Sequence, residues 1–101
     1  MKYLGNAFSL NMLASLPGAF TATSVAAADV PADTKSVVGH ADTARVLTAI
    51  LVRDIAYNRE TLKLAAGDTL FVAQFVGTRL PEGATSLPEG ARIDFIRVDV
   101  S

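Results

Sequence analysis

Four short polar motifs interrupt an otherwise apolar chain: Asn6-Ala7-Phe8-Ser9, Gly39-His40-Ala41-Asp42-Thr43, Asn58-Arg59 and Arg79-Leu80-Pro81-Glu82-Gly83. Between them they carry the sequence's single histidine, a serine, two arginines and a glutamate. A guanidinium presents a planar fork of donors that fits a phosphate. An imidazole is the side chain whose ordinary titration range lets it hold and release a proton near neutrality. Taken together these groups suit work at a phosphodiester: holding the anion, aligning it and moving one proton. Each also has a structural use, since a histidine at a helix start serves as a cap and Asn6 or Ser9 fills a turn. It is their joint occurrence that points to a site.

Composition narrows the classes. At 101 residues one domain is expected, spanning 1–101. Such a chain buries only about 60 to 70% of its unfolded surface, so a homo-oligomer would help it. Nine Lys plus Arg stand against ten Asp plus Glu, which gives no field strong enough to wrap a duplex. A nucleic-acid ligand should then be small and held locally. Cysteine is absent, which excludes disulfides and thiolate metal sites. One histidine cannot build a zinc site without several carboxylates, so neither a metal nor a cofactor is implied. No stretch approaches the ~20 apolar residues of a membrane span. Met1-Lys2, an apolar stretch and Ala26-Ala27-Ala28 together look like a secretory signal. Against that, Gly5, Asn6, Ser9, Asn11, Pro17 and Gly18 break the apolar core such a signal needs.

The motifs need elements to position them. Lys2 to Gly5 reads as a short first strand, and Leu10 to Leu16 as a short helix with Ser9 as its N-cap and a stop at Pro17-Gly18. Phe20 to Val25 alternates as a second strand, and Ala26 to Lys35 is a loop. Ser36 to Gly39 reads as a buried strand feeding a helix whose apolar face is Val46, Leu47, Ile50 and Leu51. Thr61 to Leu64 gives a further short strand and Ala65 to Asp68 a turn. Thr69 to Val76 is apolar on both faces apart from Gln74, the pattern of a central strand covered on each side. Ile93 to Val100 is the last strand. Leu80-Pro81-Glu82-Gly83 and Leu87-Pro88-Glu89-Gly90 are two turns of similar chemistry. The expectation is an α/β or α+β fold: a single compact domain, a mixed sheet of roughly five strands and two helices. In such folds ligands collect beyond the carboxyl ends of strands, where helix N-termini offer unpaired N–H groups. Three of the motifs fall at such ends. A phosphodiester there would meet backbone donors near Ser9 and His40, with charge from Arg59 or Arg79.

The order and spacing of NAFS, GH, NR and RLxEG resemble those of the small viral and prokaryotic ring nucleases, which include type III anti-CRISPR proteins that degrade cyclic tetra-adenylate. The resemblance covers most of the chain and is densest at residues 3–13, 37–46, 58–64 and 74–84. It implies a metal-independent enzyme that cleaves a 3′,5′ phosphodiester through the substrate's own 2′-hydroxyl. The products are linear and end in a 2′,3′-cyclic phosphate and a 5′-hydroxyl, which would switch off type III CRISPR signalling. His40 is then the general acid and Glu82 the carboxylate that helps it keep its proton against the helix N-terminus. Asn6, Ser9, Arg59 and Arg79 are the ligand-positioning groups. The resemblance further implies a homodimer that seats the symmetric ring across its two-fold axis. It also implies a cytoplasmic protein of a prokaryotic cell, encoded by host or virus. The alternative is a module that binds a cyclic oligonucleotide or a protein without turnover.

Overall fold

The Thr69–Val76 run, apolar on both of its faces, can only be a strand with cover on each side, and it forms the middle of the sheet. The computed structural model of the chain describes residues 1–77, 83 and 86–101. Five strands are present: β1 (Lys2–Gly5), β2 (Phe20–Val25), β3 (Lys35–Ser36), β4 (Thr69–Val76) and β5 (Arg92–Val100). Their order across the sheet is β2-β5-β4-β1-β3. β1 runs parallel to both β4 and β3, whereas β5 runs antiparallel to both β4 and β2. The sheet is therefore mixed, and with one helix, α1 (Ala41–Leu51), the domain is α+β.

Strand alternation divides the core in two. Phe71 and Ala73 of β4 face α1, packing with Leu4, Phe95, Ala44 and Leu47. Leu70 and Val72 face the opposite way, against Val98, Val100, Leu13, Leu62 and Leu64. Leu4 and Leu47 are fully buried and Phe71 is 2% exposed, so truncating any of them to alanine costs about 3 to 5 kcal/mol. Residues 1–28 contain two of the five strands, with Leu4 at the centre of the core. They are part of the sheet, unlike the detachable apolar stretch of a secretory signal. Among the described residues no helix is long and apolar enough to cross a membrane.

The fold departs from the expected elements in several places. Leu10 to Leu16 is not a helix: a 3-10 turn spans Leu10–Met12 and the chain is extended again at Leu13. The backbone groups that a helix would use are taken by a distant segment. Ala14 N donates to Leu64 O at 2.8 Å and Leu64 N to Met12 O at 2.6 Å. Seven residues cannot meet the cost of helix nucleation against such pairing. The Thr61 to Leu64 strand reduces to one bridge, Leu13 to Leu64, although its alternation is real, with Leu62 and Leu64 buried and Thr61 and Lys63 exposed. The third strand begins one residue early and is short, and Val38 makes only an isolated bridge to Tyr57. The last strand begins at Arg92 rather than Ile93, and a second 3-10 turn, Ala27–Asp29, lies in the expected loop. Where the chain leaves β4, Gly77 adopts φ +126° and a Cβ there would lie 2.8 Å from Ala91 Cα, so only glycine fits.

Candidate functional site

Because β1, β3 and β4 are mutually parallel, their carboxyl ends open on one side of the sheet. The helix α1 starts on that side. Asn6, the first residue beyond β1, accepts a hydrogen bond from Gly39 N on its Oδ1 at 3.2 Å. Two motifs 33 residues apart are thereby joined. His40 follows in extended conformation, φ −138° and ψ 121°, as the N-cap of α1. Its carbonyl accepts the first intrahelical bond from Ala44 N at 3.0 Å, and its Nδ1 accepts from Thr43 N at 3.4 Å. A ring nitrogen that accepts a hydrogen bond carries a lone pair, so Nε2 bears the proton of the neutral ring. The N–H groups of Ala41 and Asp42 open the helix and have no intrahelical partner, which makes this end attractive to an anion.

Arg59 reaches the same place through its neighbour. Asn58 donates from its backbone N to Val38 O at 2.9 Å and from Nδ2 to Ser36 O at 2.8 Å. Those bonds pin an irregular segment to the strand that leads into α1. Arg59 then passes over Gly39, with its Cγ 3.6 Å from where a Cβ on that glycine would be. Asn58 also donates to Glu60 Oε2 at 3.1 Å. The Lys35 ammonium bonded to Glu60, with Asn58, holds the Glu60 carboxyl below its usual range. Glu60 thus remains a charged partner of Lys35 beside the site.

Asp42 was not singled out from the sequence, yet it makes the longest-range contact of the cluster. Its carboxylate, 14% exposed, accepts from Gly83 N at 3.2 Å and pairs with Arg45. The last residue of the Arg79–Gly83 motif is therefore tied to the first turn of α1, two positions after His40. A negative charge there also suits the helix dipole. Arg79 and Glu82 lie outside the described residues.

Ser9 stands apart from this group. It precedes the 3-10 turn without a side-chain cap, and its hydroxyl instead donates to Asn11 Oδ1. The capping role expected of it is lost because the helix it would cap does not form. The structure thus joins Asn6, His40 and Arg59 around Gly39 and adds Asp42, while no described contact brings Ser9 to them. Among the described residues no three His, Asp or Glu side chains converge as a metal site would need. On the sheet face away from α1 a cavity of about 370 Å³ reaches Asn6 and is lined also by Phe8, Phe20, Val72 and Gln74. Of these, Gln74 had a visible signal in the sequence, as the one polar residue inside the β4 run.

A family model described as STIV B116-like matches residues 2–95 of the chain. Among solved structures, B116 of Sulfolobus turreted icosahedral virus is similar, with a TM-score of 0.81 at 24% sequence identity over 97% of each chain. At that identity the likeness is one of fold. No curated protein matches the chain.

Proposed function

We propose a function from the premise that the chain belongs to the STIV B116-like family: it is a ring nuclease that opens cyclic tetra-adenylate and so counters or switches off type III CRISPR signalling. What supports this reading is one observation, the meeting of the separate motifs at the start of α1. Asn6 bonds Gly39, Arg59 lies over Gly39, His40 caps the helix and Asp42 holds Gly83. A phosphodiester at this end would accept from the N–H groups of Ala41 and Asp42, which lack an intrahelical partner, with the Arg59 guanidinium supplying charge. The ring's own 2′-hydroxyl attacks phosphorus and gives up its proton to solvent, the P–O5′ bond breaks, and a 2′,3′-cyclic phosphate forms with no water consumed. The departing 5′-oxygen takes a proton from His40 Nε2, and alignment with charge stabilisation supplies the rest.

The His40 cap bears directly on that proton. A doubly protonated imidazole has no lone pair for Thr43 N, so the acid form and the cap exclude one another. A phosphate oxygen arriving at the helix N-terminus is itself an acceptor for Thr43 N. The substrate would thereby release the His40 ring from the cap and free it to turn toward the departing oxygen. A two-fold dimer in a prokaryotic cytoplasm would offer the ring two copies of this site.

Incubation with cyclic tetra-adenylate in EDTA should yield linear products ending in 2′,3′-cyclic phosphate. Complete dependence on added Mg²⁺ would sink the mechanism. The engagement of His40 Nδ1 favours one second reading, a module that captures the ring without turnover. In that case intact ring is recovered from a tight stoichiometric complex after overnight incubation.

A further inference from the structure

Asp42 holds the second position of α1, in the turn where a phosphate would be seated, and an acid there opposes any anion that arrives. The structure turns that acid to another use. Its Oδ1 accepts from Gly83 N at 3.2 Å and from the Arg45 guanidinium, so a single oxygen joins residue 83 to two positions of the helix. The Asp42 side chain is 14% exposed and that of Arg45 47%. Thr43, Ala44, Val46 and Leu47 are buried around the pair, which fixes this part of α1 against the sheet and gives both side chains a rigid base. An ordinary first-turn acid is solvated and answers to its own helix dipole. This one reaches across 41 residues of sequence.

We propose that Asp42 is a positioning residue for the turn that ends at Gly83, and that Arg45 shields its charge so that the helix end keeps its attraction for a phosphate. The proposal rests on the nuclease reading for what that phosphate belongs to. Gly83 closes the Arg79–Gly83 motif, so a carboxylate bonded to its N–H fixes where the motif meets the helix start, two residues from His40. Unshielded, the same carboxylate would lie within a Debye length, about 10 Å at 0.1 M salt, of an anion held by the Ala41 and Asp42 N–H groups. Like charges at that range repel. With the guanidinium bonded to it the pair is neutral, and the N–H groups and helix dipole act on the phosphate unopposed. Arg45 thus acts on the ligand through Asp42 and need not touch it.

The test follows the backbone NMR signals of Ala41 and Gly83 during titration with inorganic phosphate, and measures cyclic tetra-adenylate affinity and single-turnover cleavage. The variants are Asp42→Asn, Asp42→Ala, Arg45→Gln and the double variant carrying Asp42→Asn with Arg45→Gln. Asparagine keeps an oxygen for Gly83 N and lacks the charge, whereas alanine lacks both. Arg45→Gln should weaken phosphate and ring binding about two- to fivefold at low salt, a loss that fades as salt rises. Asp42→Asn should tighten both by a similar factor, and the double variant should return to the parent affinity. Asp42→Ala should let the Gly83 amide exchange its hydrogen faster than Asp42→Asn does, and should cleave the ring roughly tenfold more slowly than Asp42→Asn. A double variant as weak as Arg45→Gln would make Arg45 a direct phosphate ligand and overturn the shield. Equal Gly83 exchange and equal cleavage in Asp42→Ala and Asp42→Asn would overturn the positioning role. If phosphate leaves the Ala41 signal of the parent unmoved, the helix end holds no anion and the inference falls. If every variant binds and cleaves the ring like the parent, the inference falls and the nuclease reading stands. If phosphate affinity and Gly83 exchange follow the expected order while the ring is never cleaved, the inference stands and the nuclease reading falls.

Discussion

At the amino end of β4 the polar groups are bonded to one another and to the backbone. Thr69 Oγ1 donates to Asp99 Oδ1 at 2.9 Å, Asp68 Oδ2 accepts from Ala65 N at 2.9 Å, and Val100 N donates to Asp68 O at 3.0 Å. At the carboxyl end, Gln74 has no protein partner among the described residues, Asn6 uses half of its amide, and the His40 cap is a long 3.4 Å bond. One end uses up its hydrogen-bonding capacity in holding the sheet. The other leaves capacity over among the described residues. That difference separates a structural cluster from a candidate site better than composition does, since both ends contain charged and amide side chains.

The largest expected effect tests the carboxyl end. With cyclic tetra-adenylate as substrate, His40→Ala should lower the single-turnover rate by roughly 10² or more, because proton donation acts mainly in the transition state. Alanine also removes the helix cap, at about 0.5 to 1 kcal/mol of stability. His40→Asn separates the two roles, since asparagine caps helices well but donates no proton from an acid form. It should fold like the parent and remain as slow as His40→Ala. If His40→Asn cleaves at the parent rate, His40 is a cap and nothing more.

The next effect belongs to the amino end and should leave ring binding alone. The N–H of Ala65 bonded to Asp68 is the main reason its carboxyl sits below the ordinary aspartate value, with burial opposing and the Met1 amino group assisting. A carboxylate whose pKa is lowered on folding contributes stability that is fully present above about pH 4. That stability is lost as the pH falls through the lowered folded value. Asp68→Ala should cost about 1.5 kcal/mol at neutral pH. It should also flatten the acid limb of denaturant midpoints measured between pH 5 and pH 2. An equal acid limb in variant and parent would show that another group drives acid unfolding.

The two ends were not equally legible in the sequence. β4 announced itself by being apolar on both faces, and the Ala65 to Asp68 turn by its glycine and aspartate, so the amino end was readable from local signals. The sequence placed Asn6 and His40 each just beyond a strand's carboxyl end, and the parallel pairing of β1 with β3 is what brings those ends together. The position of Arg59 was not readable, because it depends on Asn58 bonding Ser36 and Val38 across an irregular stretch with no periodicity of its own. Leu10 to Leu16 had a plausible cap and leucines on one face, and its helix failed only because Leu64 claimed its backbone. Long-range pairing of that kind leaves no mark on the local pattern. Asp42 was hidden for a related reason: an acid in a first helical turn is ordinary, and its bond to Gly83 exists only once the sheet has formed. Phe8 and Phe20 carry no sequence signal of being partners.

A smaller effect lies away from both ends and serves as a control on them. Val52, the C-cap residue of α1, adopts φ 55° and ψ 43° and is 86% exposed. A β-branched residue in the left-handed region is strained, and its side chain gains almost nothing from burial in return. Val52→Gly should raise stability by about 1 kcal/mol in denaturant unfolding, with ring binding and cleavage unchanged. Loss of stability would mean that the valine makes a contact worth more than the strain. A change in cleavage would mean that the candidate site is coupled to the far end of α1, and the contrast between the two ends of β4 would then be incomplete.

The smallest expected effect concerns the second of the two similar turns. Leu87-Pro88-Glu89-Gly90 repeats the sequence of Leu80 to Gly83, but its bonds are its own. Ala91 N returns to Pro88 O at 3.1 Å and Gly90 takes φ +81°, so the turn closes on itself. Glu89 is exposed and lies in none of the contacts around Gly39. The tie to the candidate site runs through the first turn, from Gly83 N to Asp42. Glu89→Gln keeps the shape of the side chain and removes its charge. It should therefore leave stability within about 0.5 kcal/mol of the parent, as surface substitutions usually do, and leave ring affinity and cleavage unchanged. Glu82→Gln, under the same assay, should lower the cleavage rate if a carboxylate supports the His40 proton. A tenfold loss in Glu89→Gln with a parent-like Glu82→Gln would reverse the assignment of the two turns and move the acidic partner of His40 to position 89.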